Sequence, residues 1–72
     1  MQNEKTQNEE KILLSFQKKI KIHLTLRDGS FRNGFVKELK SDFFMFDDTI
    51  NGIEPIFFLE LKNVEPYMEE RK

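Results

Sequence analysis

The sequence predicts a mainly β fold, in which one N-terminal α-helix is followed by five short antiparallel strands that curl into a strongly bent, SH3-like barrel. The apolar residues repeat at helical spacing up to about residue 18 and then alternate with polar residues in the two-residue period of a strand. Gly34 interrupts the second apolar run, which indicates a bend or bulge there. The chain has 72 residues, enough for one such domain and too few for a second core.

Start and end signals predict a helix over residues 8–18. Thr6 begins a capping-box pattern, and Asn8 is a competing N-cap residue. Lys18 and Lys19 fall at the last turn, where the helix dipole favours basic side chains. The apolar stripe of this helix consists of Ile12, Leu13, Phe16 and Ile20.

Short apolar runs separated by turn signals predict the five strands. They cover, in chain order, residues 20–26, 31–39, 43–46, 56–61 and 64–67. Asp28-Gly29 is a hairpin signal between the first two strands, and Asn51-Gly52 is a turn signal before the fourth. Pro66 marks the last strand as an edge strand, because proline cannot donate a ladder hydrogen bond.

The third and fourth predicted strands are apolar on both faces, in the runs 43–46 and 56–59. One face fills the barrel, while the other needs a cover, because a large apolar patch is rare on the surface of a monomer. The helix and the tails are one candidate cover, but a helix of about three turns is small for this purpose. We therefore expect a homo-oligomer that is closed by pairing of edge strands.

The net charge of −1 hides a strong asymmetry along the chain. Residues 1–10 have a net charge of −2, residues 11–40 of +6, and residues 41–72 of −5. The basic middle segment favours an anionic partner if its side chains form one patch. A solvated surface of mixed charge is the alternative.

The residue types exclude several classes of function. Without cysteine, and with a single histidine, the chain offers no thiol catalysis and no Cys- or His-based metal site. No residues converge in the pattern of an acid–base or nucleophilic centre, so we expect no enzyme, no cofactor and no metal. No apolar run approaches about 18 residues and the N-terminus is polar, which predicts a cytoplasmic protein without a membrane span or secretory signal.

Two apolar motifs frame the predicted barrel. The first alternates apolar residues and then adds two glycines at fixed spacing: Ile22-x-Leu24-x-Leu26-x-x-Gly29-x4-Gly34-x-Val36-x-x-Leu39. The second closes the domain: Leu61-x-x-Val64-x-Pro66. Together they resemble the motifs of the Sm-like (LSm) family, and the layout is closest to the Hfq group of bacterial RNA chaperones. The resemblance covers residues 8–67 and leaves residues 1–7 and 68–72 as flexible tails.

The resemblance implies an Sm-like barrel, assembled through strands four and five into a ring of six or seven subunits. It also implies binding of single-stranded RNA around the pore and on the ring faces. Lys18, Lys19 and Lys21 match the face of the family that meets RNA, where the helix leads into the first strand. The matching pocket positions are Asn8, Lys40, Asp42, Phe43, Lys62 and Asn63.

Several of these residues also have an ordinary structural explanation. Asn8 is otherwise a helix cap, Phe43 a core residue, and the lysines a solvated surface. The pocket motifs also diverge, because Lys40-Ser41-Asp42-Phe43-Phe44 lacks the asparagine of Sm proteins and residues 57–59 replace the Tyr-Lys-His of Hfq. The sequence therefore leaves two functions open: an RNA-binding ring with a role in RNA chaperoning, processing or regulation, and an oligomeric protein-interaction scaffold with little RNA binding.

Overall fold

The computed structural model describes residues 4–67, with side chains from residue 7 onward. In chain order the elements are α1 (Glu4–Lys18), β1 (Ile22–Leu26), β2 (Phe31–Leu39), β3 (Phe43–Asp48), β4 (Gly52–Phe57), a 3₁₀ helix (Phe58–Glu60) and β5 (Leu61–Pro66). The strands form one bent antiparallel sheet in the order β4-β3-β2-β1-β5. The predicted helix followed by five antiparallel strands is therefore confirmed, as a sheet whose two edges, β4 and β5, do not pair with each other.

Helix α1 begins at Glu4, earlier than the predicted start at residue 8. The four residues from Glu4 include no glycine or proline, and most are good helix formers. Asn8 therefore lies inside the helix, and its predicted role as the N-cap residue is wrong. The side chain of Thr6, the other predicted cap, lies outside the described residues. No helix in the described part of the chain is long and apolar enough to cross a membrane.

Helix α1 ends in a left-handed residue that turns the chain towards β1. Lys19 has φ of 56°, and the amide of Ile20 donates a 3.3 Å hydrogen bond to the carbonyl of Ser15. This six-residue closure is the Schellman motif, in which glycine is the usual left-handed residue. The motif fixes the direction in which Lys19 leaves the helix.

The core lies between α1 and the inner face of the sheet. Burial alternates strictly along β1 and β3, as expected for strands with one buried face. The most deeply buried side chains of the core are Ile12, Ile22, Leu24, Phe44, Phe46, Leu61 and Val64. Of the predicted helical stripe, Ile12 and Phe16 pack into this core, whereas Leu13 and Ile20 remain 45% and 39% exposed.

Gly34 is the point of closest approach between β2 and β3. It is buried, and it pairs with Asp48 across the ladder. A Cβ atom here would overlap the carbonyl oxygen of Asp47 and lie 2.9 Å from its carbonyl carbon. Only glycine leaves room for the neighbouring backbone, which is the physical reason for a glycine at this bend.

Two β-bulges interrupt the sheet, and the extra residue is a lysine in each. Lys37 is the extra residue of β2 opposite β3, and Lys62 is the extra residue of β5 opposite β1. A bulge bends its strand and changes the direction of the side chains beside it. Both lysines are exposed.

The fourth predicted strand is wrong in position. The apolar run 56–61 contains the end of β4, the 3₁₀ helix and the first residue of β5. Pro55, which we expected before the strand, lies within β4 opposite Met45. The sheet tolerates this proline because β4 is an edge strand with a single neighbour.

Asp48 ties the turn between β3 and β4 to β2. This buried carboxylate accepts hydrogen bonds from the backbone amides of Asn33, Ile50 and Asn51, at 3.3, 3.2 and 2.7 Å. Burial by itself raises the pKa of Asp48, but the three amide donors, with Arg32 nearby, outweigh it and lower the pKa below its ordinary value of 3.8.

We expect Gly34→Ala to lower the free energy of unfolding by about 2–3 kcal/mol, at the upper end of typical overpacking costs. The new methyl group meets backbone atoms, which cannot rotate away as the end of a side chain can. Urea denaturation measures the loss. The matched control is Gly29→Ala, which enters open space at φ of 93° and costs about 1 kcal/mol through the left-handed backbone alone. Equal losses in the two variants would contradict a steric role for Gly34.

We expect Asp48→Asn to destabilise the protein by about 1–2 kcal/mol at neutral pH, because hydrogen bonds to a charged group are stronger than those to a neutral one. Since the folded-state pKa is lowered, the stabilisation from the carboxylate is complete above the unfolded-state pKa and is lost as the pH falls through the folded-state pKa. The variant should therefore lose less stability than the parent below about pH 4. Urea midpoints at pH 2 to 7 measure this difference. Asp47→Asn is the matched control, because Asp47 accepts none of these three hydrogen bonds, and it should cost less stability at neutral pH.

Candidate nucleic-acid interface

An open groove of about 510 Å³ lies between the end of α1 and the bulged part of β2. Its lining combines two aromatic rings, two ammonium groups and one amide, from the residues Phe16, Gln17, Lys19, Phe35, Val36 and Lys37. We call it the basic groove. It has no acidic residue in its lining, although the chain as a whole has a net charge of −1.

The two lysines of the basic groove each lie at an irregularity of the backbone. Lys19 is the left-handed residue that ends α1, and Lys37 is the extra residue of the β2 bulge. Ordinary strand alternation leaves Phe35 and Lys37 exposed and buries Val36 between them. The alternation breaks at the bulge, because Lys37 and Glu38 are both exposed.

The side chains of the basic groove suit a single-stranded nucleotide. Ammonium groups such as those of Lys19 and Lys37 attract phosphate without regard to sequence. The ring of Phe35 is 38% exposed, so part of it is open for base stacking. The amide of Gln17 both donates and accepts hydrogen bonds, as a base edge requires. The groove thus offers phosphate attraction, stacking and polar recognition within one lining.

Of the three lysines predicted from the sequence, only Lys19 lines the basic groove. Lys18 is exposed in the last turn of α1. The ammonium group of Lys21 lies 4.2 Å from the ring centre of Tyr67, in a cation–π contact beside β5. Lys21 therefore already has a partner within the chain.

The predicted loop residues have separate surroundings. The ammonium group of Lys40 lies 3.3 Å from the carboxylate of Glu38. Phe43 packs on Phe57, with ring centres 5.3 Å apart. Lys62 is the bulge residue of β5, and Asn63 lies opposite Thr25 on β1, while Asp42 precedes β3.

Asn8 lies below the surface rather than at a binding face. It is 4% exposed, and its Nδ2 atom has no hydrogen-bond partner among the described residues. A buried amide without a partner is costly, so this atom is a weak point of the α1 interface. Contact between Asn8 and a surface ligand would require α1 to move.

Sequence patterns gave too little weight to four groove residues: Phe16, Gln17, Phe35 and Lys37. Phe16 was assigned to the apolar stripe of the helix, and the other three were not singled out as site residues. The break in apolar phase within the second predicted strand was the available signal, because it marks the bulge at Lys37. The signal does not say which helix end the bulge faces, and that depends on long-range packing.

The fold has a counterpart among solved structures. No protein-family model and no curated protein matches the chain. The structure is similar to a 1.55 Å crystal structure of the pleiotropic translational regulator Hfq, with a TM-score of 0.68 and 7% sequence identity. The match covers 79% of this chain and 93% of that chain. At this identity the likeness concerns the fold, so the chain has the Sm-like fold that the sequence motifs predicted.

Proposed function

From the Sm-like fold we propose that this protein binds single-stranded RNA as a ring of identical subunits, in RNA chaperoning, processing or regulation. The observation that carries the proposal is the basic groove, which combines Lys19 and Lys37 with the exposed ring of Phe35. Phosphate attraction and stacking are the two main sources of affinity for single strands. The proposed site of action is the cytoplasm.

The unpaired edges of the sheet support assembly into a ring. Among residues 4–67, β4 and β5 each pair with one strand, so within this part of the chain each has a free row of backbone donors and acceptors. Ile53 and Leu59, at or beside the β4 edge, are 60% and 71% exposed. Pairing of β4 with β5 of the next copy would satisfy both edges and cover apolar surface, and a head-to-tail contact of this kind closes into a ring when the rotation permits. By resemblance to the Sm-like family, we propose six or seven subunits.

The positions that match the family's pocket extend the proposed RNA site beyond the basic groove. Phe43 lies at the start of β3, and Lys62 and Asn63 lie in β5 rather than in a loop. Because the corresponding positions of the Sm-like family surround the pore, we keep these three and Lys40 as proposed pore contacts, with Asp42 and Asn8 beside them. Lys18 and Lys21, which lie next to Lys19 or two residues from it along the chain, remain proposed RNA contacts. Residues 8–67 are the proposed domain for these contacts.

We expect Lys19→Ala/Lys37→Ala to weaken binding of U-rich and A-rich oligonucleotides. If each lysine contacts one phosphate, the slope of log affinity against log salt should fall by about 1.4 per occupied subunit, at roughly 0.7 per contact on single strands. Fluorescence anisotropy at several salt concentrations measures both quantities.

Two comparisons make this test specific. Lys40→Ala/Lys62→Ala removes the same amount of positive charge from the proposed pore contacts. A larger loss of RNA affinity in this double variant would show that the main RNA site is at the pore and not in the basic groove. Phe35→Ala should lose about 1–3 kcal/mol per stacked base. Phe31→Ala, at another exposed phenylalanine, should lose little. If the unaltered protein bound no oligonucleotide at low salt, the RNA proposal would fail, and an oligomeric scaffold for protein partners would remain.

We expect light scattering to give several times the 8.7 kDa mass of one chain. Ile53→Lys should reduce this mass towards one chain, because a charged side chain beside the β4 edge opposes strand pairing. Ile50→Lys is the matched control, since Ile50 lies in the turn before β4 and is 86% exposed. A mass of one chain for the unaltered protein would contradict the ring.

A further inference from the structure

A second groove, of about 300 Å³, lies where the turn before β3 meets the end of β4 and the 3₁₀ helix. Its lining is formed by Ser41, Asp42, Phe57, Phe58 and Leu59. We call it the acidic groove. We propose that it binds an arginine side chain of a partner polypeptide, with the stem of the arginine against the apolar walls and its guanidinium group on the carboxylate of Asp42.

The walls of the acidic groove present apolar surface to water. Phe57 is 45% exposed and Leu59 is 71% exposed, whereas Phe58 is anchored in the core. Phe43 packs on the ring of Phe57 and so supports that wall from the β3 side. Exposed rings of this kind bind the faces of planar cations and the aliphatic stems of long side chains.

Backbone hydrogen bonds hold the groove in shape on both sides. The amide of Phe58 donates to the carbonyl of Asp42 at 3.0 Å, which joins the 3₁₀ helix to the turn before β3. The guanidinium Nε of Arg27 donates to the carbonyl of Leu59 at 2.9 Å, which holds the opposite side of the 3₁₀ helix. The backbone of the groove is thus largely preformed, which lowers the entropic cost of binding.

The charge of the lining selects the occupant. Asp42 is the only charged residue in the lining, and its carboxylate has no hydrogen-bond or ion-pair partner among residues 7–67. The nearest lysine along the chain, Lys40, already forms an ion pair with Glu38. Phosphate is therefore repelled here, and a cation is attracted.

Arginine fits these surfaces better than lysine. Its planar guanidinium group forms paired hydrogen bonds with a carboxylate and stacks on aromatic rings, whereas the ammonium group of lysine is compact and strongly hydrated. A neighbouring apolar residue of the same partner would pack against the exposed side of Leu59. The recognised ligand is therefore an arginine beside an apolar residue in an accessible segment of a partner protein.

This inference is independent of the basic groove, because the two grooves share no lining residue. It gives Asp42, which the Sm-like resemblance places among the RNA-pocket positions, a peptide arginine as its ligand instead. Every lining residue comes from one chain, so a single chain forms the groove. Leu59 also lies beside the proposed β4–β5 contact between subunits, so the proposal requires that this contact leave the groove open. Loss of RNA binding and loss of peptide binding would therefore be separate results.

The test is an NMR titration of the isotope-labelled full chain with a capped Gly-Leu-Arg-Gly peptide. The expected result is a set of amide shifts confined to residues 41–43 and 57–60. Peptides with Lys or Gln in place of Arg should bind more weakly, in that order. Asp42→Asn should reduce the affinity for the arginine peptide by about fivefold, which corresponds to roughly 1 kcal/mol for an exposed ionic contact.

Asp47→Asn is the matched control, since it removes one carboxylate outside the groove lining and should leave peptide affinity unchanged. Equal affinity for the Arg and Gln peptides, equal losses in the two variants, or shifts spread over other acidic surfaces would each overturn the proposal. The proposal would also be overturned if oligo(U) shifted the amide signals of residues 41–43 and 57–60 and the peptide did not. The groove would then be a nucleotide site. The unaltered protein must also bind the peptide in its assembled state, and failure there would show that a neighbouring copy covers the groove.

Discussion

The close contact between β2 and β3 at Gly34 is the constraint on which the rest of the molecule depends. Because residue 34 has no Cβ, its backbone approaches the carbonyl of Asp47 more closely than any other residue would allow. The resulting curvature has a visible consequence across the sheet. Arg32 on β2 and Glu54 on β4 form a 2.9 Å ion pair, although β3 lies between their strands. A flat sheet would hold second-neighbour strands about 9–10 Å apart. The bend thus makes a concave face that a single helix, α1, is large enough to close.

The same strand that bends also directs the candidate binding side chains. After Gly34, strand alternation places both Phe35 and Lys37 on the exposed face, and the bulge at Lys37 then changes the phase of β2. The left-handed turn at Lys19 then brings the end of α1 against this part of β2. Both lysines of the basic groove therefore lie at local departures from regular structure, a bulge and a helix cap. Departures of this kind cost stability, and they are frequent beside functional sites.

The sequence was informative wherever the signal was local. The change from helical to alternating spacing near residue 20, the Asp28-Gly29 turn and the interruption at Gly34 were enough for the helix, the first hairpin and the fold class. The predicted position of the fourth strand, residues 56–61, was wrong. An unbroken apolar run does not distinguish a strand from a 3₁₀ helix that anchors Phe58 in the core. The start of α1 was also missed, since cap patterns compete within a run of good helix formers. The basic groove was only partly predictable, because the meeting of Lys19 with Lys37 depends on how α1 packs across the sheet.

Net charge is a poor guide to the partners of this chain, because charge acts locally at its surface. Lys37 and Asp42 are five residues apart, yet each lines a different groove, since the strand turns back between them. At physiological ionic strength, exposed charges are largely screened beyond about 8 Å. A ligand therefore responds mainly to the few charges that line its own groove. A small domain with a net charge of −1 can in this way present a cationic aromatic groove and an anionic apolar groove at once. A ring would repeat both grooves around its circumference. RNA or protein segments that reach several copies of a groove would then bind with higher affinity, because the later contacts form at a high effective concentration. The two kinds of ligand would not compete for the lining residues of the two grooves.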